Sequence, residues 1–410
     1  WELPQQVDSK DLFAHLEKNA RGIPANPASS ELAAAAKTLK QDFHVSYVQH
    51  APMEPRAAVA EWDGDKLTVW TTTQNPFGVR RELAGAFRTT PDKVRVIVPD
   101  FGGGFGGRHS GECAIEAARL AKTAGKPVRL QWTRAEEFTW AQFRPADLVK
   151  AEATLDAEGK ITSWYYVSIN ADRSELETPY RVGKNLAQSV TSEAPLRHGS
   201  YRGLGATGHT FSRECFMDEL AEAAGKDPLE FRLAHLDNGR IRAVLQDAAK
   251  RFDWDSRKDK KEKNIGVGLA CGQDKGSVVA CCAEVEVDPD SGQIKVRKVA
   301  QTFECGAIVN PENLRTQVMG AIIMGLGPAL REEMQFAGGQ MQNAAFSKYL
   351  VPRFADVPEL DINLLNRPES RSVGAGETPI IVIAPAIANA VYNAVGQRVR
   401  SMPIRLKAEA

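Results

Sequence analysis

The chain has 410 residues, and its 52 lysines and arginines cancel its 52 aspartates and glutamates to a formal net charge of zero. At about 100–200 residues per domain, that length holds two or three domains. A balanced charge supplies no basic field for nucleic acid, and the basic run Lys258–Lys263 is interrupted by Asp259 and Glu262 as in a solvated linker.

Residues 1–40 are expected to form a mobile lead-in, with an amphipathic patch at Lys10–Asn19 and an alanine-rich helix after Ser29–Ser30. Strands follow at Ala57–Trp62 and Lys66–Thr72, the second in alternating pattern, then a helix near Val79–Phe87 and a strand at Lys93–Pro99. A glycine loop, Gly102–Gly107, leads into a helix at Glu112–Ala124 and a strand at Pro127–Thr133. That strand–loop–helix–strand unit implies a sheet that is at least partly parallel or mixed. Beyond Arg202 a second glycine loop precedes a helix at Phe211–Ala224, which Gly225 stops. Asp255–Asn264 is charged and lacks apolar periodicity, so it divides a first subdomain, 41–254, from a second, 265–410. The second opens with hairpin strands Val278–Val287 and Gln293–Thr302 around the turn Asp288–Gly292. A helix at Asn313–Gly325, a third glycine loop at Gly374–Glu377 and a helix at Ala384–Val395 complete an α+β or mixed α/β chain. The apolar stretch Pro379–Gly396 carries Pro385, Asn389 and Asn393. A membrane span needs about 20 cleaner residues, so this stretch reads as a buried helix.

The six cysteines, Cys113, Cys215, Cys271, Cys281, Cys282 and Cys305, form no CxxC pair and no zinc or iron–sulfur spacing. They read as small buried hydrophobes suited to a reducing compartment. The chain opens on Trp1 without a signal peptide, as expected of a processed or partial polypeptide. The expected compartment is the cytoplasm or periplasm, with the protein soluble or peripherally membrane-associated.

Three loops carry the chemistry. Glycines 102, 104 and 107 of Asp100–Arg108 satisfy GxGxxG after a strand and before a helix, the context of a dinucleotide fingerprint. The next strand ends in Trp132-Thr133-Arg134 with no acid to hold a ribose. An arginine there suits a 2′-phosphate, which keeps open an NADP-dependent oxidoreductase built on residues 102–107. The second loop, Tyr201–Thr207, and the third, Gly374–Thr378, also stand before helices. Three such loops imply one large anionic ligand gripped by backbone amides, with Arg202 as a planar cation. Only the third carries a lone carboxylate, Glu377. Buried there it gains basicity and suits a general base; exposed, it is an ordinary loop or helix-start carboxylate.

Gly102–Arg108 (GGGFGGR), Tyr201–Gly205 (YRGLG) and Gly374–Glu377 (GAGE) resemble, in that order, cofactor loops of the molybdenum-binding subunit of the xanthine dehydrogenase/aldehyde oxidase superfamily. Ala280–Val287, Cys305-Gly306, Val309–Pro311 and Gln317–Gly327 resemble the connecting stretch of those proteins. His50–Pro55 (HAPMEP) and Ala384–Ala390 bring the chain nearest the branch that holds the β-subunits of isoquinoline 1-oxidoreductases. The resemblance runs from about Ser46 to Pro403.

It implies a molybdenum-cofactor-binding fold of two subdomains. The metal is held by the dithiolene of a molybdopterin, in its cytosine dinucleotide form, and needs no protein ligand. Gly103, Gly104, Phe105, Gly106, Arg202, Gln317, Ala375 and Gly376 would bind the cofactor. Phe105 and His109 would border the substrate, with capping of the following helix as the other reading of His109. Glu377 would be the base in oxidation of an aldehyde or N-heterocycle, with metal-activated water as the oxygen source. His109 stands where purine-oxidising relatives carry glutamate, so a purine is not the implied substrate. The family's Gln-Glu-His element reads Val48-Gln49-His50, and its Met-Gly-Gln-Gly element and small N-terminal domain are missing. The implied source of those parts is a second polypeptide or a missing N-terminal half, and the implied partners are an iron–sulfur subunit carrying [2Fe-2S] clusters and a flavin or cytochrome c subunit. A non-catalytic assembly subunit is the third reading. Elsewhere, His198 and His209 read as structural histidines, Trp132, Trp140 and Trp164 as core or interface residues, and Asp218 and Glu219 as helix-surface charges or inter-element pairs.

Overall fold

The computed structural model describes residues 6–28, 35–260 and 262–406. Alternating apolar segments form three main sheets. A five-stranded sheet has the order Ser401–Met402, Lys37–Val45, Asp147–Leu155, Ile161–Ile169, Lys184–Val190. Its two outer pairings are parallel and its inner ones antiparallel. A four-stranded sheet runs Glu359–Leu364, Ile294–Glu304, Ser277–Val287, Ile265–Asp274, and contains the expected hairpin. A second four-stranded sheet runs Val94–Ile97, Lys66–Thr71, Ala57–Asp63, Val128–Gln131. The strands flanking the first glycine loop and its helix are therefore the two edges of one sheet, with the earlier hairpin inserted between them. The mixed α/β character read from the sequence holds.

The helix Ala206–Ala223 is buried on nearly every side, packed between the five-stranded sheet and the helix Ile383–Val395. It begins at Ala206 rather than Phe211. The reason is non-local: the Gly205 amide donates to Asp172 Oδ2 at 2.9 Å, a carboxylate placed at the helix start by a distant loop. Ile383–Val395 lies against the strand Ile265–Asp274, and only glycine fits at 266 and 268, where a Cβ would collide with the helix backbone at Ala390. The helix Pro311–Leu330 is longer than expected at both ends; Asn310 caps it through the Asn313 amide, and Pro311 takes the first turn. One apolar core holds residues from Phe43 to Ile404 and so runs through both expected subdomains. All six cysteines are buried and unpaired.

The expected mobile lead-in is instead docked over residues 7–28. Leu12 and Leu16, one turn apart, are buried; Phe13 stacks on His44 at 4.3 Å; Ser192 Oγ donates to the Leu16 carbonyl and the Tyr165 hydroxyl to that of Pro24. The alanine-rich helix expected after Ser29–Ser30 lies outside the described residues. Asp218 and Glu219 are largely buried and paired with Arg232 and Arg398, and with Arg400, so they join elements rather than decorate a surface. Trp132 and Trp164 are core; Trp140 is exposed.

Burial raises the Asp147 carboxyl to about 7 and that of Glu332 to about 8, and it lowers the His50 and His209 imidazoles to about 4. An acid raised by folding holds its proton more tightly in the folded chain, so its contribution falls as pH climbs from the unfolded value to the folded one. The histidines act oppositely, adding stability as pH rises from about 4 to 6.5, and drop out above that. Stability is therefore expected to decline between pH 6.5 and pH 8. Denaturant unfolding across that window checks this: Glu332→Gln should flatten the decline, and an unchanged slope in the variant contradicts the assignment.

Candidate cofactor site

The first loop is bent by left-handed backbone at Gly103, Phe105 and Gly106, with φ of 89°, 52° and 100°. At two positions glycine is obligatory for contact: a Cβ on Gly106 would lie 2.7 Å from the Ser200 carbonyl oxygen, and one on Gly107 would lie 2.7 Å from the His50 ring. Two buried arginines brace the loop from behind. Arg56 donates to the Gly107 carbonyl and pairs with Glu137 at 2.5 Å. Arg108, 1% exposed, donates to the Thr72 hydroxyl and the Glu54 carbonyl.

The loop's own amides divide into two sets. Gly102 donates to Glu54 Oε2 at 2.6 Å, and Gly106 to Gln74 Oε1 at 3.0 Å. Gly106 was expected to offer its amide to a ligand, and here a side chain of the same chain holds it. The amides of Gly103, Gly104 and Phe105 meet no acceptor among the described residues, and the Phe105 side chain is 38% exposed beside them.

Arg202 ties the second loop to the others. Its amide donates to the Phe105 carbonyl at 2.9 Å. Its guanidinium donates from Nε to the Gly376 carbonyl at 2.6 Å and from Nη2 to the Gln317 carbonyl at 3.4 Å. Left-handed backbone at Gly203 and Leu204 lets the chain turn immediately into the helix. The side chain expected to face a ligand thus bonds first to main chain, while its charge stays at the junction. Burial lowers the Arg202 pKa, and the neighbouring Tyr201 and Glu377 oppose that shift.

The third loop hangs on the tight turn Asp274–Gly276, since the Gly374 amide donates to the Lys275 carbonyl at 3.3 Å. Gly376 faces Gln317, whose Nε2 would be 3.4 Å from a Cβ there. Half-buried Ala375 precedes it. Glu377 was expected to be either buried or exposed, and its side chain is 37% exposed. Its Oε2 is nonetheless buried without a hydrogen bond, 3.9 Å from Lys275 Nζ. Residues 103–106, 202, 317 and 374–377 therefore meet at one junction.

His109 is exposed, and the helix that follows, Glu112–Ala124, has Gly111 at its N-cap and no side-chain cap, so capping is not its role. Gln49 points inward: its Nε2 donates to the Glu137 carbonyl, and its Oε1 accepts from the His50 amide. His209 is a structural histidine bonded to the Ser174 carbonyl at 2.7 Å. Sequence reasoning missed Glu54, Arg56, Gln74 and Lys275; the only signal was the HAPMEP segment, which contains Glu54 and ends one residue before Arg56.

Open amides on left-handed turns, a cation at the junction and a nearby carboxylate suit a large polar or anionic organic group. No cluster of three or more histidine, cysteine or acidic side chains able to hold a metal ion occurs among the described residues. A dinucleotide fold fits less well: the helix starts at Glu112, past the loop, and Glu54 and Gln74 already fill two of the amides a pyrophosphate would take.

Family models described as molybdopterin cofactor-binding domains match residues 13–173 and 273–358. The chain is 28% identical, over 91% of its length, to one subunit of the nicotinate dehydrogenase of Pseudomonas putida, and covers 35% of that protein. It is 29% identical, over 87% of its length, to the β-subunit of isoquinoline 1-oxidoreductase of Brevundimonas diminuta, and covers 49% of it. The chain thus spans about a third to a half of these curated relatives. Quinoline 2-oxidoreductase from Pseudomonas putida 86 shares the fold with a TM-score of 0.86 at 17% identity, over 98% of this chain and 81% of that one. Aldehyde oxidoreductase from Desulfovibrio gigas does so at 0.83 and 16%, over 94% and 62%.

Substitution at the loop contact gives a direct check. Gly125→Ala, at a left-handed position with nothing within 4 Å, should cost about 1–2 kcal/mol of unfolding free energy. Gly106→Ala adds a collision with Ser200 and should cost clearly more; equal losses would show that the loops are not in contact.

Proposed function

We propose, for a chain that belongs to the molybdopterin cofactor-binding family of xanthine dehydrogenases and aldehyde oxidases, that it is the cofactor-bearing part of a molybdenum hydroxylase oxidising an aldehyde or an N-heterocycle. The observation that carries this reading is Arg202, whose hydrogen bonds draw the three loops and the helix bearing Gln317 to one junction. When bound, the cofactor supplies a two-electron redox metal that activates water as the oxygen source.

The chain's own residues do the holding. The amides of Gly103, Gly104 and Phe105 would donate to the cofactor. Arg202 would add positive charge for an anionic group, and Gln317, Ala375 and Gly376, gathered beside it, would help hold the cofactor. Glu377 accepts a proton at Oε2, the buried oxygen that makes no internal hydrogen bond. Phe105 and His109 border the substrate from the first loop, and the cofactor is the cytosine dinucleotide form. Residues 41–254 and 265–410 act as two cofactor-binding subdomains over their shared core.

Electrons leave through a partner iron–sulfur subunit with [2Fe-2S] clusters, then a flavin or cytochrome c subunit. Both curated relatives are named as subunits, which supports companions of some kind. The compartment is the cytoplasm or the periplasm.

Molybdenum, iron and subunit masses measured together on the co-purified complex test the cofactor and its companions; tight NADP binding without molybdenum would overturn the reading. Glu377→Gln should keep its molybdenum yet lose at least about a hundredfold in turnover, the scale of a general base. Undiminished turnover removes Glu377 from the mechanism, and no turnover in the wild type on any aldehyde or N-heterocycle favours an assembly role.

A further inference from the structure

Three residues of the segment Gln49–Arg56 hold the cofactor loops. Glu54 and Arg56 hold the first loop at Gly102 and Gly107. His50 does more, because it touches two loops at once. Its ring lies under Gly107, where glycine alone leaves room for it, and Nε2 donates to the Ser200 carbonyl at 2.6 Å, one residue before Tyr201-Arg202. The residue is 5% exposed, and its ring lies 5.1 Å from that of Tyr201.

Behind His50 the contacts continue into the second half of the chain. Gln49 Oε1 accepts from the His50 amide at 2.6 Å. The Tyr349 hydroxyl bonds to both main-chain groups of Gln49 at 3.0 Å and to Glu332 Oε2 at 2.9 Å. Glu332 closes the end of the helix Pro311–Leu330, its amide donating to the Gly327 carbonyl at 2.8 Å. Gln317 lies on that same helix. A continuous buried chain of hydrogen bonds thus joins the helix that borders the third loop to the seam between the first and second.

We infer that His50 is a positioning residue that sets the spacing of the first and second loops, and so the fit of the cofactor between them, without touching the cofactor itself. The inference rests on the loops being the cofactor site. Nε2 must carry the hydrogen, because its partner is a carbonyl; burial keeps the ring neutral at working pH. A glutamine at 50 puts an amide donor near the Nε2 position, whereas an alanine leaves the Ser200 carbonyl without its partner and a void under Gly107.

The test measures molybdenum per folded chain, kcat and KM in the purified complex for the wild type, His50→Ala and His50→Gln. Removing a supporting partner of a bound centre typically costs about 10–100-fold in affinity or activity, so His50→Ala should lose molybdenum on at least the tenfold scale. His50→Gln should recover most of it, with KM for substrate unchanged in the chains that stay loaded. Wild-type molybdenum content in His50→Ala, or glutamine no better than alanine, overturns the assignment. If His50→Ala does not fold, Gly107→Ala, which displaces the same ring, takes its place with the same expected loss. Absence of molybdenum from the wild type would instead sink the cofactor reading, so the two failures are distinguishable.

Discussion

One arginine, through its guanidinium and its own amide, ties its stretch of main chain to three others in register. Arg202 receives the Gly376 and Gln317 carbonyls on its planar fork while its own amide secures Phe105. A lysine offers a single point charge on a flexible stem and cannot match two fixed acceptors in this way. The arrangement also concentrates positive charge where three amides of the first loop remain open. Binding strength for an anionic organic group follows from that geometry rather than from any cluster of metal ligands.

Holding the loops in this shape requires strained backbone, and the strain is contained from outside. Phe105 and Leu204 are non-glycine residues in the left-handed region, a conformation that persists only when surroundings over-determine it. Arg56, Arg108 and His50 supply that determination for the first loop from buried positions, and Glu54 and Gln74 occupy the amides that would otherwise compete for a ligand. The Asp274–Gly276 turn does the same for the third loop, placing Lys275 beside Glu377. A rigid support outside the reacting region and a small set of open donors within it is the division expected of a preorganised site.

The three loops were legible because their chemistry is local: glycine at left-handed positions, an arginine, and a carboxylate before a helix. The resemblance of GGGFGGR, YRGLG and GAGE to one family ordered them into a single site, and models of molybdopterin cofactor-binding domains match residues 13–173 and 273–358. What could not be read depends on partners far away in sequence. The early start of the helix at Ala206 needs Asp172, and the loss of Gly106 as a free donor needs Gln74. The docking of the lead-in through Leu12 and Leu16 needs a surface that exists only once the five-stranded sheet has formed. Arg202 was recognised as a cation, but its direction was invisible, since only tertiary structure shows that carbonyls claim its donors.

Hydrogen exchange on cofactor-loaded and cofactor-stripped protein tests the shared clasp most directly. If three loops close on one guest, amides at 103–105, 201–205 and 374–377 should all slow their exchange together when the cofactor is bound. Slowing confined to the first loop, or absent from all three, would contradict a common site.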